Sequence, residues 1–392
     1  MSESKDKTLQ KKQGPGNIAV LYTTVAGGCI ECGRCRKACR FLQANGMPKG
    51  FAEEALTGRP DLRGVFACSL CGLCTSVCPQ DIDPAAMFAE MRREAVRRGQ
   101  GRFRRHRSLL GYERWGGSPL LSWYGLPTGC DTVFFPGCSL AGTRPRRILQ
   151  LYEHLKRTIP SLGVVLDCCT KPSHSLGRTR HSAVVFGELV RALQADGVRN
   201  VLVACPSCYT MWRDYGGKIT VRTLYEDLAG RDIGGPARCP ATVTVHDPCS
   251  VRNETHIHEA VRKLIAARGL QVEEMPHHGA TTVCCGEGGA AGCLAPQFAD
   301  NWGRIRKQEA AGRRIITYCA GCVHLLGRRT TVSHILDLFF EPALTLADRV
   351  MVARPPLTWL HRFLLKGKLR RRLKPAIIGR RGADGRVRMK SS

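Results

Sequence analysis

The sequence predicts an α+β multidomain protein in which a small, mostly helical domain precedes two copies of an α/β domain, each built on a parallel sheet. Three observations carry that prediction. Eight cysteines near the start fall into two runs of identical spacing, with no alternating strand pattern between them. Further along, short apolar runs lead into cysteines twice over, in the same order. Between those runs lie stretches whose apolar residues recur at helical spacing.

Size and composition set the frame. The chain has 392 residues, enough for two or three domains, and 21 cysteines. Residues 1–13 are polar and carry Lys5, Lys7, Lys11 and Lys12 with no apolar stretch behind them, which is not a secretory signal. No uncharged apolar run approaches the ~18 residues a membrane helix needs. The expected location is therefore cytoplasmic, or peripheral on the inner face of the cytoplasmic membrane, with residues 1–14 disordered. In a reducing compartment, cysteines in such number point to metal ligands or redox groups rather than disulfides.

The helical domain is expected over residues 15–99. Cys29, Cys32, Cys35 and Cys39 form C-x2-C-x2-C-x3-C, and Cys68, Cys71, Cys74 and Cys78 repeat it, with Pro79 after the last. In such doubled runs three thiolates wrap one cubane and the fourth reaches the other cluster. One [4Fe-4S] cluster is thus assigned to Cys29, Cys32, Cys35 and Cys78, and a second to Cys68, Cys71, Cys74 and Cys39; a pair of structural zinc ions is the alternative. Arg40 stands where the pattern usually has proline. Asp83 and Pro84 read as an N-cap and first-turn pair, Met87, Met91 and Ala95 mark one face, and Gly99 stops the helix.

A basic linker, residues 100–131, leads to the repeat, divided as residues 132–236 and 237–353. Thr132 to Phe135 runs into Cys138 as residues 242–245 run into Cys249. The pair Cys168–Cys169 answers to Cys284–Cys285. Residues 200–204 enter Cys205 and Cys208 as residues 314–318 enter Cys319 and Cys322. The three offsets are 111, 116 and 114 residues, a register that chance does not produce. Helices are expected near 146–157, 183–195, 258–268 and 298–311. Cysteines that directly follow strands lie at the carboxyl edge of a parallel sheet, where such sheets bind ligands. Adjacent cysteines suit a cluster of several irons better than one tetrahedral zinc. Cys130, Cys239 and Cys293 are left over as buried or incidental thiols.

With these motifs in place, the chain resembles the heterodisulfide reductase family. The repeat carrying Cys284-Cys285-Gly286 and Cys319-x-x-Cys322 resembles its CCG domain. The arrangement behind a doubled ferredoxin motif is similar to the D-type subunit and to the iron–sulfur subunits of anaerobic glycerol-3-phosphate dehydrogenase and glycolate oxidase. The resemblance covers roughly residues 25–345 and implies a helical two-[4Fe-4S] ferredoxin domain followed by two CCG domains that hold one or two non-cubane [4Fe-4S] clusters. It implies a catalytic set, Cys249, Cys284, Cys285, Cys319 and Cys322, and a parallel set, Cys138, Cys168, Cys169, Cys205 and Cys208. Thr170 replaces the glycine of the first triplet, which leaves open whether that site holds a complete cluster.

The expected function is electron transfer in an oxidoreductase complex with a flavoprotein dehydrogenase or a membrane cytochrome b subunit. The alternatives are a self-sufficient disulfide reductase, or an iron–sulfur subunit of a flavin-dependent 2-hydroxyacid or glycerol-3-phosphate dehydrogenase. The net charge of +28 also raises nucleic acid, but residues 92–107 and 354–392 supply +19 of it and no nucleic-acid-binding motif accompanies them. In the basic amphipathic tail, residues 354–392, Trp359, Leu360, Phe363, Leu364, Leu369 and Leu373 alternate with Lys and Arg. It reads either as solvated surface or as a segment for anionic lipid or a partner groove. Gly286, Gly288 and Ala291 fit a dinucleotide fingerprint only weakly; glycines here more readily let backbone N–H groups approach cluster sulfur. His174, His246 and His324, with Lys171 and Lys307, lie near ligand cysteines, and are either site residues or ordinary structural and surface side chains.

Overall fold

The computed structural model describes residues 18–58, 60–230 and 240–391. The expectations for residues 1–14 and for Cys239 fall outside them. In the first domain, helices Ile18–Gly28, Pro48–Leu56 and Pro84–Arg97 surround the cysteine runs. The last forms where its signals place it: Asp83 accepts the Ala86 N–H at 2.9 Å, and Met87, Phe88, Met91 and Ala95 are buried. Phe41, Phe51 and Phe88 close the small core with ring centroids 5.1–5.5 Å apart.

Eleven strands follow among the described residues: β1 Trp123–Leu126, β2 Thr132–Phe135, β3 Gly163–Leu166, β4 Asn200–Val203, β5 Thr220–Thr223, β6 Thr242–His246, β7 Gln271–Val272, β8 Arg314–Thr317, β9 Val332–His334, β10 Ile377–Arg381 and β11 Val387–Ser391. The second α/β domain is a parallel sheet ordered β7-β6-β8-β9. The first repeats that order as β3-β2-β4-β5, also parallel, so the internal repeat is one of topology as well as sequence. Strands such as Gly163–Leu166 are buried throughout, the pattern expected where helices cover both faces.

The first sheet is larger than the sequence suggests. β1, within the linker, pairs antiparallel with β3, and the hairpin β10–β11, within the tail, pairs antiparallel with β1, giving a mixed seven-stranded sheet. The linker also carries helix Arg107–Gly116, whose Glu113 accepts the Ser173 N–H at 2.7 Å. The tail helix, Leu357–Arg372, is not the amphipathic segment expected, because apolar residues lie on both faces and Arg362 is buried; its inner face packs against this chain, where Leu365, Leu369 and Leu373 are buried and Trp359 packs on Tyr112. Leu357, Leu360, Phe363 and Leu364 remain about half exposed on the outer face.

Three clasps unite the domains. Arg92, fully buried, donates to the carbonyls of Cys68, Ser175 and Gly289, one from each domain. Arg252 donates to Cys71 O at 2.8 and 3.1 Å and to Thr282 O. Across the repeat, Asp337 binds Arg144 at 2.6 Å and Arg147 at 3.1 Å, all three buried.

Candidate metal centres

The two ferredoxin-type runs fold alike because their backbones do. Glu31 and Gly33 have positive φ, as do Leu70 and Gly72 at the matching positions, and each glycine opens a short helix that carries the third thiol. The curl aims N–H groups inward; Leu70 N lies 3.4 Å from Cys68 Sγ. Cys29, Cys32, Cys35 and Cys78 line one pocket with Ile30, Pro79 and Ile82, and Cys74 reaches its wall. Burial, then Cys29 and Cys32, and more weakly Cys78, push Cys35 up to about 11. Cys74 is raised by burial, then by Cys68, Cys71 and Cys39. The fourth cysteine of each run thus stands with the first three of the other.

In the second α/β domain Cys284 is in thiol contact with both Cys249 and Cys285, and the chain of contacts continues from Cys285 through Cys322 to Cys319. Hydrogen bonds from Cys249 and Cys285 hold Cys284 well below the usual thiol range against the effect of burial, helped by the N–H groups of Gly286, 3.3 Å away, and Gly288. Gly286 has φ 101°, and a Cβ there would stand 2.7 Å from Ala299 O. Cys284 does not directly follow its strand, since β7 stops at Val272 and the loop turns through Gly279–Thr281 first. Gly321 leaves room for the Glu287 carboxylate, which a Cβ there would displace.

In the first α/β domain, Cys138 contacts Cys168, and Cys208 contacts both Cys169 and Cys205. Gly137, φ 80°, brings its backbone to both Cys205 and Cys208; a Cβ would lie 3.2 Å from each side chain. Thr170 takes the left-handed conformation its glycine counterpart allows, φ 58°, and its buried hydroxyl meets Ser182 Oγ at 2.7 Å. The departure from glycine therefore leaves the turn intact.

Among the three histidines considered, His246 reaches a site. One of its ring nitrogens lies within 4.8 Å of the Cys285 and Cys322 sulfurs; the ring is fully buried, and neither nitrogen has a hydrogen-bond partner among the described residues. Burial, then Arg306, lowers it to about 3, so it is neutral. His174 instead meets Tyr215 OH at 2.8 Å, His324 pairs with Arg328, and Lys307 is exposed. Lys171 is half-buried: burial depresses its ammonium, while Asp214, Cys169 and Cys249 favour the charge.

Sequence reasoning missed four side chains around the sites. Glu287, two residues beyond Cys285, keeps solvent contact, yet surrounding protein, then Cys284 and Cys138, pushes it up to about 7. Asp167, beside Cys168, accepts from Tyr124 OH and from Arg381 of β10. Tyr112 hydrogen-bonds Cys138, and Arg362 lies beside them. Adjacency to the cysteine pairs could have flagged Glu287 and Asp167; nothing local marks Tyr112 or Arg362.

Groups of buried soft donors, with N–H groups turned to sulfur, fit iron–sulfur clusters, and five thiols exceed what one tetrahedral ion takes. A family model described as a 4Fe-4S dicluster domain matches residues 26–82, and one described as a cysteine-rich domain matches residues 132–213 and 243–327. The chain is a heterodisulfide reductase-like iron–sulfur protein. The D-type component of dihydromethanophenazine:CoB–CoM heterodisulfide reductase from Methanosarcina barkeri is 24% identical over 355 residues, 75% of this chain and 86% of that one. A fumarate reductase (CoM/CoB) component from Methanothermobacter marburgensis is 27% identical over 337 residues, 75% of this chain but 66% of the relative, just short of two thirds of its length. EtfAB:quinone oxidoreductase from Syntrophomonas wolfei is 22% identical over 262 residues, 57% of this chain and 36% of the relative. These relatives are named as oxidoreductases or their subunits, and the two family models give this chain iron–sulfur cluster binding. Among its described residues no helix is long and apolar enough to cross a membrane.

Proposed function

We propose that the chain is the electron-transfer subunit of a heterodisulfide reductase-like complex, with its four cysteine groups acting as one relay. The observation that carries this reading is the order in which the groups neighbour one another. Cys35 is influenced by Cys29, Cys32 and Cys78; Cys74 by Cys68, Cys71 and Cys39, and then by Cys35. Cys71 in turn faces Cys284, and Cys249 faces Cys71. Cys284 and Cys138 both act on the Glu287 carboxylate. When bound, iron–sulfur clusters supply one-electron oxidation and reduction at each group.

In this reading Cys29, Cys32, Cys35 and Cys78 hold one cubane, Cys39, Cys68, Cys71 and Cys74 the other, and the five-cysteine sets hold non-cubane clusters. Cys249, Cys284, Cys285, Cys319 and Cys322 meet the substrate sulfur. Arg92 and Arg252 keep the second ferredoxin-type group docked on the second α/β site. Ile30 is 61% exposed and Cys32 is exposed, so the partner docks there. A flavoprotein dehydrogenase or a cytochrome b subunit fits, since relatives are named for a flavoprotein–quinone reaction and for a methanophenazine-linked reductase. The outer face of helix Leu357–Arg372 gives a peripheral contact with the cytoplasmic side of the membrane.

Anaerobic metal analysis tests the reading. We expect about sixteen irons from four [4Fe-4S] clusters and reduction of the isolated chain by its copurifying partner. About eight irons with about two zinc ions would reduce the α/β sites to structural ones. Turnover of a disulfide by the isolated chain with an artificial donor would replace the subunit reading with a self-sufficient reductase.

A further inference from the structure

One buried charge near the cysteine groups has no counterion. Arg362, on helix Leu357–Arg372, is 3% exposed. Its Nη2 donates to Gly116 O at 2.8 Å and its guanidinium lies 5.7 Å from the centre of the Trp359 ring. Its Nη1 is buried with no hydrogen-bond partner, and no carboxylate pairs with Arg362 among the described residues. A Cβ built on Gly116 would lie 3.0 Å from that Nη1, 3.6 Å from Cys168 Cβ and 3.8 Å from Cys138 Cβ, so one point touches all three. Tyr112, which hydrogen-bonds Cys138, packs its ring on Trp359 at 4.8 Å.

Burying a guanidinium is unfavourable unless an anion answers it. The other buried arginines around the α/β sites are answered. Arg381 is paired with Asp167 and Arg306 with Glu309, while Arg252 is spent on carbonyls. Lys171 lies between Cys169 and Cys249 and so does not distinguish the sites. The Arg362 charge acts on Cys138, and Cys168 lies across Gly116 from it; both belong to the first site, whose thiols carry negative charge when they hold a cluster.

We propose that Arg362 is the counter-cation of the first five-cysteine centre, delivered by the C-terminal helix, and that it raises the reduction potential of that centre. The inference rests on the first cysteine set holding a cluster. Arg362 acts through charge and position; it takes no part in bond making. At the second α/β centre the buried cation that Cys322 and Cys284 influence, Arg306, is shared with Glu309, so among the described residues an unshared buried cation sets the first centre apart.

The test uses the full chain, purified anaerobically, as wild type, Arg362→Gln and Arg362→Lys, with potentials read by paramagnetic resonance and iron counted in each. The first-centre signal is the one lost in Cys168→Ser. Arg362→Gln should make that centre at least tenfold harder to reduce, a shift of 59 mV for one electron, with the other centres unmoved; Arg362→Lys should keep most of the potential. An unmoved first-centre potential, an equal shift at every centre, or a wild-type chain with no iron at the first centre overturns the proposal. Thermal unfolding guards against a purely structural role. Iron-free Arg362→Gln should be no less stable than iron-free wild type, because the unanswered charge is then a liability; equal loss of stability with and without iron also overturns it. Should the partner fail to reduce the chain while the potential still shifts, the relay reading falls and this one stands.

Discussion

Replacing Asp337 by alanine should separate the two α/β domains energetically. The Asp337 carboxylate is 3% exposed and holds Arg144 at 2.6 Å and Arg147 at 3.1 Å, each nearly as buried. The two arginines fare differently without it. Arg147 keeps Glu341 at 2.6 Å, whereas Arg144 retains no carboxylate among the described residues. The loss therefore approximates one buried guanidinium stripped of its partner, about 3–5 kcal/mol. Asp337→Asn, which keeps an acceptor but not the charge, should lose roughly half of that. Urea unfolding of the iron-loaded chain gives the stabilities, and a cycle with Arg144→Met isolates the pair. In that double variant the stranded charge is gone, so adding Asp337→Ala to Arg144→Met should cost at least 2 kcal/mol less than adding it to wild type, within the range of coupling for contacting residues. A loss below about 1 kcal/mol for Asp337→Ala, or additive losses in the cycle, would refute the argument that this clamp sets the domain interface.

Three further perturbations probe other parts of the chain. Gly286→Ala introduces a Cβ 2.7 Å from Ala299 O at φ 101°, so iron should be lost from the second α/β site while the ferredoxin-type groups stay loaded; full iron content would contradict it. Burial, then Arg92, pushes buried His106 down to about 4 from 6.5. The unfolded chain thus takes up its proton first, and the stability this neutral ring contributes, complete above about pH 6.5, is lost as pH falls toward the folded value. His106→Gln should flatten the decline in urea midpoint between about pH 7 and about pH 5; parallel slopes would remove His106 as its source. Ending the chain at residue 353 should uncover β1 and the Cys138 helix, giving aggregation and loss of first-site iron rather than the benign loss of a solvated tail; a soluble, fully loaded truncation would show that the C-terminal segment is dispensable.

Much of the site was legible because its chemistry is local. Thiol spacing named the ferredoxin-type groups, Asp83 and Pro84 marked a helix start, and the repeat register placed all ten α/β cysteines. What escaped depends on contacts between distant segments. β10 and β11 read as a basic run, since Arg380, Arg381, Arg386 and Arg388 hide the strand pattern, and their partner β1 lies some 250 residues earlier. Arg92 and Arg362 belong to the two basic runs that supply most of the net charge, yet both are buried and both donate to backbone carbonyls. The glycines after Cys285 were expected to serve cluster sulfur. Gly286 and Gly288 do turn toward Cys284, but Gly288 and Gly289 also admit the backbone of Ser69 and Cys68, so the same stretch seats the first domain. Thr170 shows that a left-handed turn can be held by a threonine when a buried hydroxyl partner waits for it.

The mixed sheet of the first α/β domain has a consequence for biosynthesis. Its strands are translated in two episodes, β1 to β5 early and β10 to β11 after the whole second α/β domain has been made. A ribosome-bound chain can therefore finish the second copy of the repeat before the first. The middle of the polypeptide waits, with an open sheet edge and five uncovered thiols, until its closing strands emerge. Metal delivery to that site belongs after those closing strands have emerged, and the time before it is the interval in which that sheet edge is most exposed to edge-to-edge association.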